Sequence, residues 1–304
     1  MHAPANLRTR FAGVAESALA RGVTEFSENG VALAAAGAVL GLVALALLAP
    51  LIAPQNPYDL AQLSIMDNLM PPGSRGLSGM THVLGTDDQG RDLLSAILYG
   101  LRLSLFVSFV ATACALALGT VIGVTAAYFG GRIDAMLMRL VDLQLSFPAI
   151  LVALILLALL GKGVDKVVIA LISVQWAYYA RTIRSSALVE RRREYIDAAQ
   201  GLALPQWRIV FRHLLPNAFP PLIVVATVQM AHAISLEATL SFLGVGVPIT
   251  EPSLGLLIAN GYGYMLSGKY WIAFYPGIAL LVAIFAINLV GDRLRDVMNP
   301  RLRR

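Results

Sequence analysis

The sequence is poor in charge and almost free of cysteine. Asp, Glu, Lys and Arg make up 13% of the 304 residues, against 58% hydrophobic residues. A water-soluble chain carries about twice that charge, so a solvent other than water is implied. The single cysteine, Cys114, lies in an uncharged run. It closes no intrachain disulfide and has no ligand beside it, which sets aside a disulfide framework and a zinc site. The net charge of +5 does not point to nucleic acid, because the basic residues are dispersed between apolar runs. No G-x-x-x-x-G-K-[ST] loop occurs, which excludes a P-loop phosphate cradle. No catalytic residue and no metal site is assigned.

In place of a polar surface there are runs long enough to cross a hydrocarbon core of about 30 Å. Six spans emerge: Val31–Ala53, Leu103–Phe129, Met138–Leu160, Val167–Ala180 with some extension, Phe219–Leu243 and Trp271–Val290. An all-α, polytopic membrane protein with six transmembrane helices is expected. The first run is longer than a signal-peptide core of about 7–15 residues and is read as a retained helix. The fourth is short and crowded by Asp165, Lys166 and Arg181, whose long basic side chains can snorkel to the interface. With the N-terminus inside, seventeen of the 23 Lys and Arg fall in inner segments and six in outer ones. That asymmetry predicts both termini in the cytoplasm.

The first outer loop carries Pro54, Pro57, Pro71 and Pro72 and reads as ordered turns. Leu93, Leu94, Ile97, Leu98 and Leu101 recur on one face, which predicts an interfacial helix capped by Asp87 or Asp88. In the second span Ala111, Ala115, Gly119, Gly123 and Ala127 form a row of small residues suited to close helix packing. Ser104, Ser108 and Thr112 form a second, mildly polar stripe. Polar groups at membrane depth are candidates for function. Glu237 is expected either to pair with a cation on a neighbouring helix or to act as a gate or substrate contact. Gln229 and His232, three apart, are expected to face the interior. Asp142 sits three residues after Arg139, an i, i+3 pair, and Pro148 is expected to bend its helix.

The inner loop 181–216 is the most informative stretch. Tyr195, Ala198, Ala199 and Leu202 recur at helical spacing, as do Trp207, Val210, Phe211 and Leu214, with Pro205 at the start of the second set. Two short amphipathic helices joined by a tight bend are predicted, each too short to stand alone. Their apolar faces need either a groove on another protein or the membrane surface, where Arg191, Arg192 and Arg193 would meet anionic headgroups. The residues leave those two open.

The stretch from Glu194 through Tyr195, Asp197, Ala198, Ala199 and Gly201, then Trp207, Arg208 and Arg212 to Asn217, resembles the EAA motif of bacterial ABC importer permeases. Ala203 departs from the pattern, since the family usually has glycine there. Leu84-Gly-Thr-Asp-Asp-Gln-Gly-Arg-Asp92 is similar to a signature of the dipeptide, oligopeptide and nickel permeases. So are Asp142 with Ser146-Phe-Pro148, Leu236-Glu-Ala-Thr-Leu-Ser-Phe-Leu-Gly244, and Asp292-Arg-Leu-Arg-Asp296 with Asn299-Pro300. Within that family the chain resembles the second, shorter permease.

The resemblance implies a type I importer permease fold in a bacterial inner membrane. It divides the chain into a cytoplasmic tail (1–30), the first helix and outer loop (31–102), a five-helix core (103–291) holding the coupling loop, and a second cytoplasmic tail (292–304). It implies a second permease, one or two ATPases that hold ATP and Mg, and an external binding protein, with lipid around the chain. No cofactor is expected on the chain itself. A short peptide is the implied cargo, and nickel or another peptide-like solute the alternative. A secondary transporter would be expected to show inverted repeats and broken helices with buried ion ligands; no convincing pair of such repeats is found. A membrane scaffold would leave the paired amphipathic helices unexplained.

Overall fold

A computed structural model describes residues 30–59, 62–77 and 79–298. The tail 1–29 and the closing Asn299-Pro300 lie outside the described residues. The helices are α1 (Gly30–Ile52), α2 (Leu93–Phe129), α3 (Gly131–Ser146), α4 (Ala149–Leu160), α5 (Val164–Glu190) and α6 (Glu194–Gly201). They continue with α7 (Gln206–Arg208), a π-helical turn (Ile209–Leu214), α8 (Leu215–Ala218), α9 (Pro220–Phe242), α10 (Leu254–Tyr262) and α11 (Trp271–Met298). A small hairpin, β1 (Ser74–Arg75) with β2 (Thr81–His82), pairs Ser74 with His82 and Arg75 with Thr81.

Four helices, α1, α2, α9 and α11, are long and apolar enough to cross a membrane. The pair α3 and α4 is long and apolar enough only when taken together, as a broken span or a re-entrant loop, and is bent by 89° where Phe147 and Pro148 interrupt it. The expected fourth span lies within α5. That helix has the length, about 40 Å, but Asp165, Lys166, Arg181 and Arg184 near its ends dilute its composition. Residues 181–190, expected in the inner loop, are the last turns of α5, and residues 292–298 are the last turns of α11.

The expected interfacial helix is not a separate element. Its apolar periodicity runs on without a breaker, so Leu93 to Phe129 form one helix of 37 residues. Asp92 caps it, its carboxylate accepting the Ser95 N–H at 2.9 Å and the Ser95 hydroxyl at 2.8 Å. Asp87 is occupied elsewhere: it accepts from the Arg91 Nε at 2.6 Å and from the Gln89 N–H. His82 Nδ1 and Asp92 Oδ1 lie 3.0 Å apart, and Gln55 accepts the Asp92 N–H. The Thr86 hydroxyl donates to the Asp67 carbonyl at 2.6 Å. The Gly-Thr-Asp stretch thus folds as a buried polar clasp that seats the outer loop on the start of α2.

α2 lies along α5, and the small-residue row is the reason. A Cβ at Gly119 would collide with the Trp176 carbonyl oxygen, and one at Gly123 with that of Ala180. Ala111, Ala115 and Ala127 are buried in the same seam. α1 packs on α2 and α11 through Ala46 and Ala49, while Leu40, Leu47 and Leu51 face outward. Gly123→Leu is expected to force α2 off α5, at a cost of about 3 kcal/mol or more, and to leave little monodisperse protein after detergent extraction. Gly41→Leu, where a side chain meets nothing within 4 Å, is expected to extract normally. Equal yields from the two variants would contradict the backbone-to-backbone packing.

Candidate functional site: a membrane cavity and a docking loop

A cavity of about 970 Å³ opens on one flank of the helices, between α4, α5, α9 and α11. Its polar lining is uncharged over most of its depth: Gln175, Tyr178 and Thr182 from α5, and Gln229, His232 and Ser235 from α9. Asp292 and Arg295 on α11 supply charge at the end nearest the loop. Gln175, buried, reaches across the bundle. Its Nε2 donates to the Gln229 carbonyl at 3.2 Å, and its Oε1 faces the Thr112 hydroxyl at 3.4 Å. Two of the four polar residues singled out in the membrane therefore line the cavity, Gln229 and His232. Glu237 and Asp142 do not.

Glu237 is fully buried on the opposite side of α9. The expected cation is absent among the described residues, and hydroxyls take its place. Ser104 on α2 donates at 2.7 Å, Ser241 one turn further along α9 donates at 2.8 Å, and Ser253 at the start of α10 turns its hydroxyl to the same carboxyl group. Both oxygens are engaged, so the group ties α2, α9 and the start of α10 together away from the cavity. Asp142 is exposed and pairs with Arg181 on α5 at 2.5 Å, not with Arg139. The fold brings α5 alongside α3, and a partner across helices replaces the local one. Asp134 and Arg184 form a bidentate pair between the same helices, at 2.5 and 2.6 Å.

The loop after α5 folds back on the bundle. Arg191 donates to the Ala127 carbonyl at 2.8 Å, satisfying the end of α2, and its guanidinium stands over the Tyr128 ring. The Tyr195 hydroxyl donates to Glu190 at 2.7 Å. Burial first, then that acceptor, push the phenol up to about 12, so it stays a donor at neutral pH. α6 ends in a Schellman arrangement: the Leu204 N–H donates to the Ala199 carbonyl and the Ala203 N–H to that of Gln200. This motif places Ala203 at φ +53°, the left-handed conformation that glycine adopts freely. The departure at Ala203 thus leaves the bend in place and strains it by about 1 kcal/mol.

The apolar faces divide differently from the expectation. Ile196, Ala199, Ile209 and Leu214 are buried against Val124, Ala127, Ile183 and Ala187 of the chain's own helices. Ala199 is therefore a core residue rather than a docking contact. Glu194, Asp197, Ala198, Gly201, Arg208 and Arg212 are exposed. So are Leu202 (75%), Trp207 (63%) and Phe211 (67%), which form a second apolar stripe facing away from the bundle. The second short helix is not regular α. Its middle widens into a π turn, which shifts Phe211 and Leu214 out of the single face their spacing suggested.

Glu237→Gln supplies one acceptor oxygen where two were used and adds a donor that faces hydroxyls. It is expected to cost about 1–3 kcal/mol, read as a lower thermal unfolding midpoint in detergent, without altering which solute the protein passes. An unchanged midpoint with altered selectivity would return Glu237 to the pathway.

Residues 119–304 match the family described as binding-protein-dependent transport system inner membrane component. Residues 17–72 match the N-terminal TM domain of oligopeptide transport permease C. A putative peptide transport system permease of Brucella suis is 42% identical over 265 residues, covering 87% of this chain and 86% of the relative. The dipeptide transport system permease of Haemophilus influenzae is 34% identical, covering 88% and 91%. The di/tripeptide transport system permease of Pseudomonas aeruginosa is 36% identical, covering 91% and 90%. Among solved structures, a chain of the inward-facing MetNI methionine ABC transporter superposes with a TM-score of 0.55 at 20% identity. It covers 67% of this chain and 97% of that one. The fold is thus shared with the matched chain of that transporter, and the chain belongs to the family of inner membrane components of binding-protein-dependent transport systems.

Proposed function

We infer that the chain is one of two permease subunits of an importer for di- and oligopeptides, powered by a cytoplasmic ATPase and fed by an external binding protein. The observation that carries this reading is the outward stripe of Leu202, Trp207 and Phe211, on a loop whose other face is fixed to the chain's own core. Exposed aromatic residues beside arginines on a rigid mount suit a groove on a partner protein. The relatives named for peptide transport support the cargo.

Six crossings, with α5 counted among them, together with the excess of Lys and Arg in alternate segments support a cytoplasmic side for the N-terminal tail, the loop between α5 and α9 and the C-terminal end, with residues 53–92 outside. The cavity is open along one flank, and a second permease closes it into a path. Its amides, hydroxyls and imidazole offer donors and acceptors to a peptide backbone while leaving side chains unselected. ATP-driven closure of the ATPase pair moves the loop, and α5, which runs into it and is bonded to it through Glu190 and Tyr195, carries that motion to the cavity wall, while Arg191 holds the loop to the end of α2. Such coupling requires that the closed ATPase pair bind the outward-open arrangement better than the inward-open one.

Deleting this subunit is expected to abolish uptake of labelled di- or oligopeptides and to leave nickel accumulation unchanged, with uptake restored by the intact chain. Lost nickel uptake beside normal peptide uptake would overturn the assigned cargo in favour of the metal.

A further inference from the structure

Carboxylate and guanidinium groups enter the wall of the 970 Å³ cavity at one place, on Asp292 and Arg295 of α11. Gly291, Arg295 and Met298 recur at i, i+4 and i+7, and Asp292 stands next to Gly291, so all four share the face of α11 turned to the cavity. Arg293 and Asp296 are outside the lining. Opposite charges three residues apart on a helix can bridge, yet these two do not. Neither side chain makes a hydrogen bond or an ion pair with a described residue, and both are exposed. Arg181 and Arg184 of α5, by contrast, are each matched by an acid on α3.

Such a pair suits a ligand that carries both charges a short distance apart. Side chains three residues apart on a helix start about 5–6 Å from one another, and the longer arginine reaches further. The ammonium and carboxylate of an extended dipeptide are at most about 7 Å apart, whereas those of a five-residue peptide are about 17 Å apart. The start of α9 cannot take over the carboxylate. Pro220 and Pro221 line the cavity there and have no N–H to donate, so the usual anion site of a helix start is missing at those positions. Arg295 is left as the donor, and its planar fork matches a carboxylate.

We propose that Asp292 and Arg295 are a subsite for the two termini of one dipeptide, with Asp292 accepting from the ammonium and Arg295 donating to the carboxylate. The inference rests on the peptide reading given above and adds to it the length of cargo that the cavity holds. The uncharged remainder of the wall leaves the side chains of the dipeptide unselected. Both groups are exposed to solvent, so each contact is weak. Weak contacts suit a subsite at the loop end of the cavity, where cargo must be let go into the cytoplasm.

The test uses the purified complex of permeases and ATPase in lipid nanodiscs, without nucleotide or binding protein. It is titrated with dialanine, N-acetyl-dialanine, dialanine amide and pentaalanine, and dissociation constants are read by saturation-transfer NMR. Dialanine is expected to bind about fivefold tighter than each of the other three. Arg295→Gln is expected to erase the difference between dialanine and its amide and to keep that between dialanine and its N-acetyl form. Asp292→Asn is expected to do the converse, a separation that a merely structural role would not produce. Four results would overturn the proposal: no saturable binding of dialanine, equal binding of free and blocked dipeptides, pentaalanine bound as tightly as dialanine, or variants that lose both preferences or neither. Uptake of dialanine by the same complex, reconstituted with its binding protein and ATP, separates the two levels of the claim. Uptake without a terminus preference in the cavity overturns the subsite alone, whereas absent uptake overturns the peptide reading beneath it.

Discussion

Lipid tails are as apolar as leucine, so helices in a membrane gain little by hiding apolar side chains from their surroundings. Contact must come from close packing and from polar groups that have nowhere else to turn. The α2–α5 seam meets the first need. Gly119 and Gly123 let the α2 backbone approach the Trp176 and Ala180 carbonyls of α5, where any side chain would hold the helices apart. The contacts at the loop end of the bundle are built on that seam. Asp134 and Arg184 fix α3 to α5, Arg191 closes the end of α2, and the buried faces of α6 and the π turn pack on Val124, Ala127 and Ile183. The loop is therefore packed on the same two-helix unit whose α5 residues line the cavity.

The polar groups meet the second need by a division of labour across α9. One side carries Glu237, whose two oxygens accept from Ser104 and Ser241, with Ser253 beside them, buried and outside the cavity lining. The other carries Gln229, His232 and Ser235 on the cavity wall. A carboxyl group that accepts from uncharged donors holds helices together without placing a charge on the cavity wall.

Local features were legible in the sequence. Apolar runs located α1 and α9 to within a residue at each end, and one end each of α2 and α11, which run about three turns earlier and two turns later than the apolar runs suggest, and the row at every fourth position marked the tight seam. Proline at 148 and the bend before Pro205 were readable because each rests on the chemistry of one or two neighbours. Relations across the chain were not. Ser104 and Glu237 are 133 residues apart, Asp142 and Arg181 are 39 apart, and nothing near Asp142 shows that Arg181 rather than Arg139 is its partner. The apolar faces of the loop misled for a different reason. Each short helix carries two apolar stripes, and periodicity alone does not say which one the chain keeps for itself. The Ala203 conformation was signalled only by a departure from a family pattern, and its cost emerges from the Schellman hydrogen bonds.

On the proposed function, the outward stripe of Leu202, Trp207 and Phe211 seats an ATPase carried by a partner chain. The most direct measurement is affinity purification through a tag on this subunit, with every co-purifying chain identified, for the natural protein and for the double variant Trp207→Glu, Phe211→Glu. The natural chain is predicted to retain a P-loop ATPase together with a second permease. The double variant is predicted to keep the second permease and to lose the ATPase. An ATPase held equally well by both proteins, or absent from both, would contradict the account.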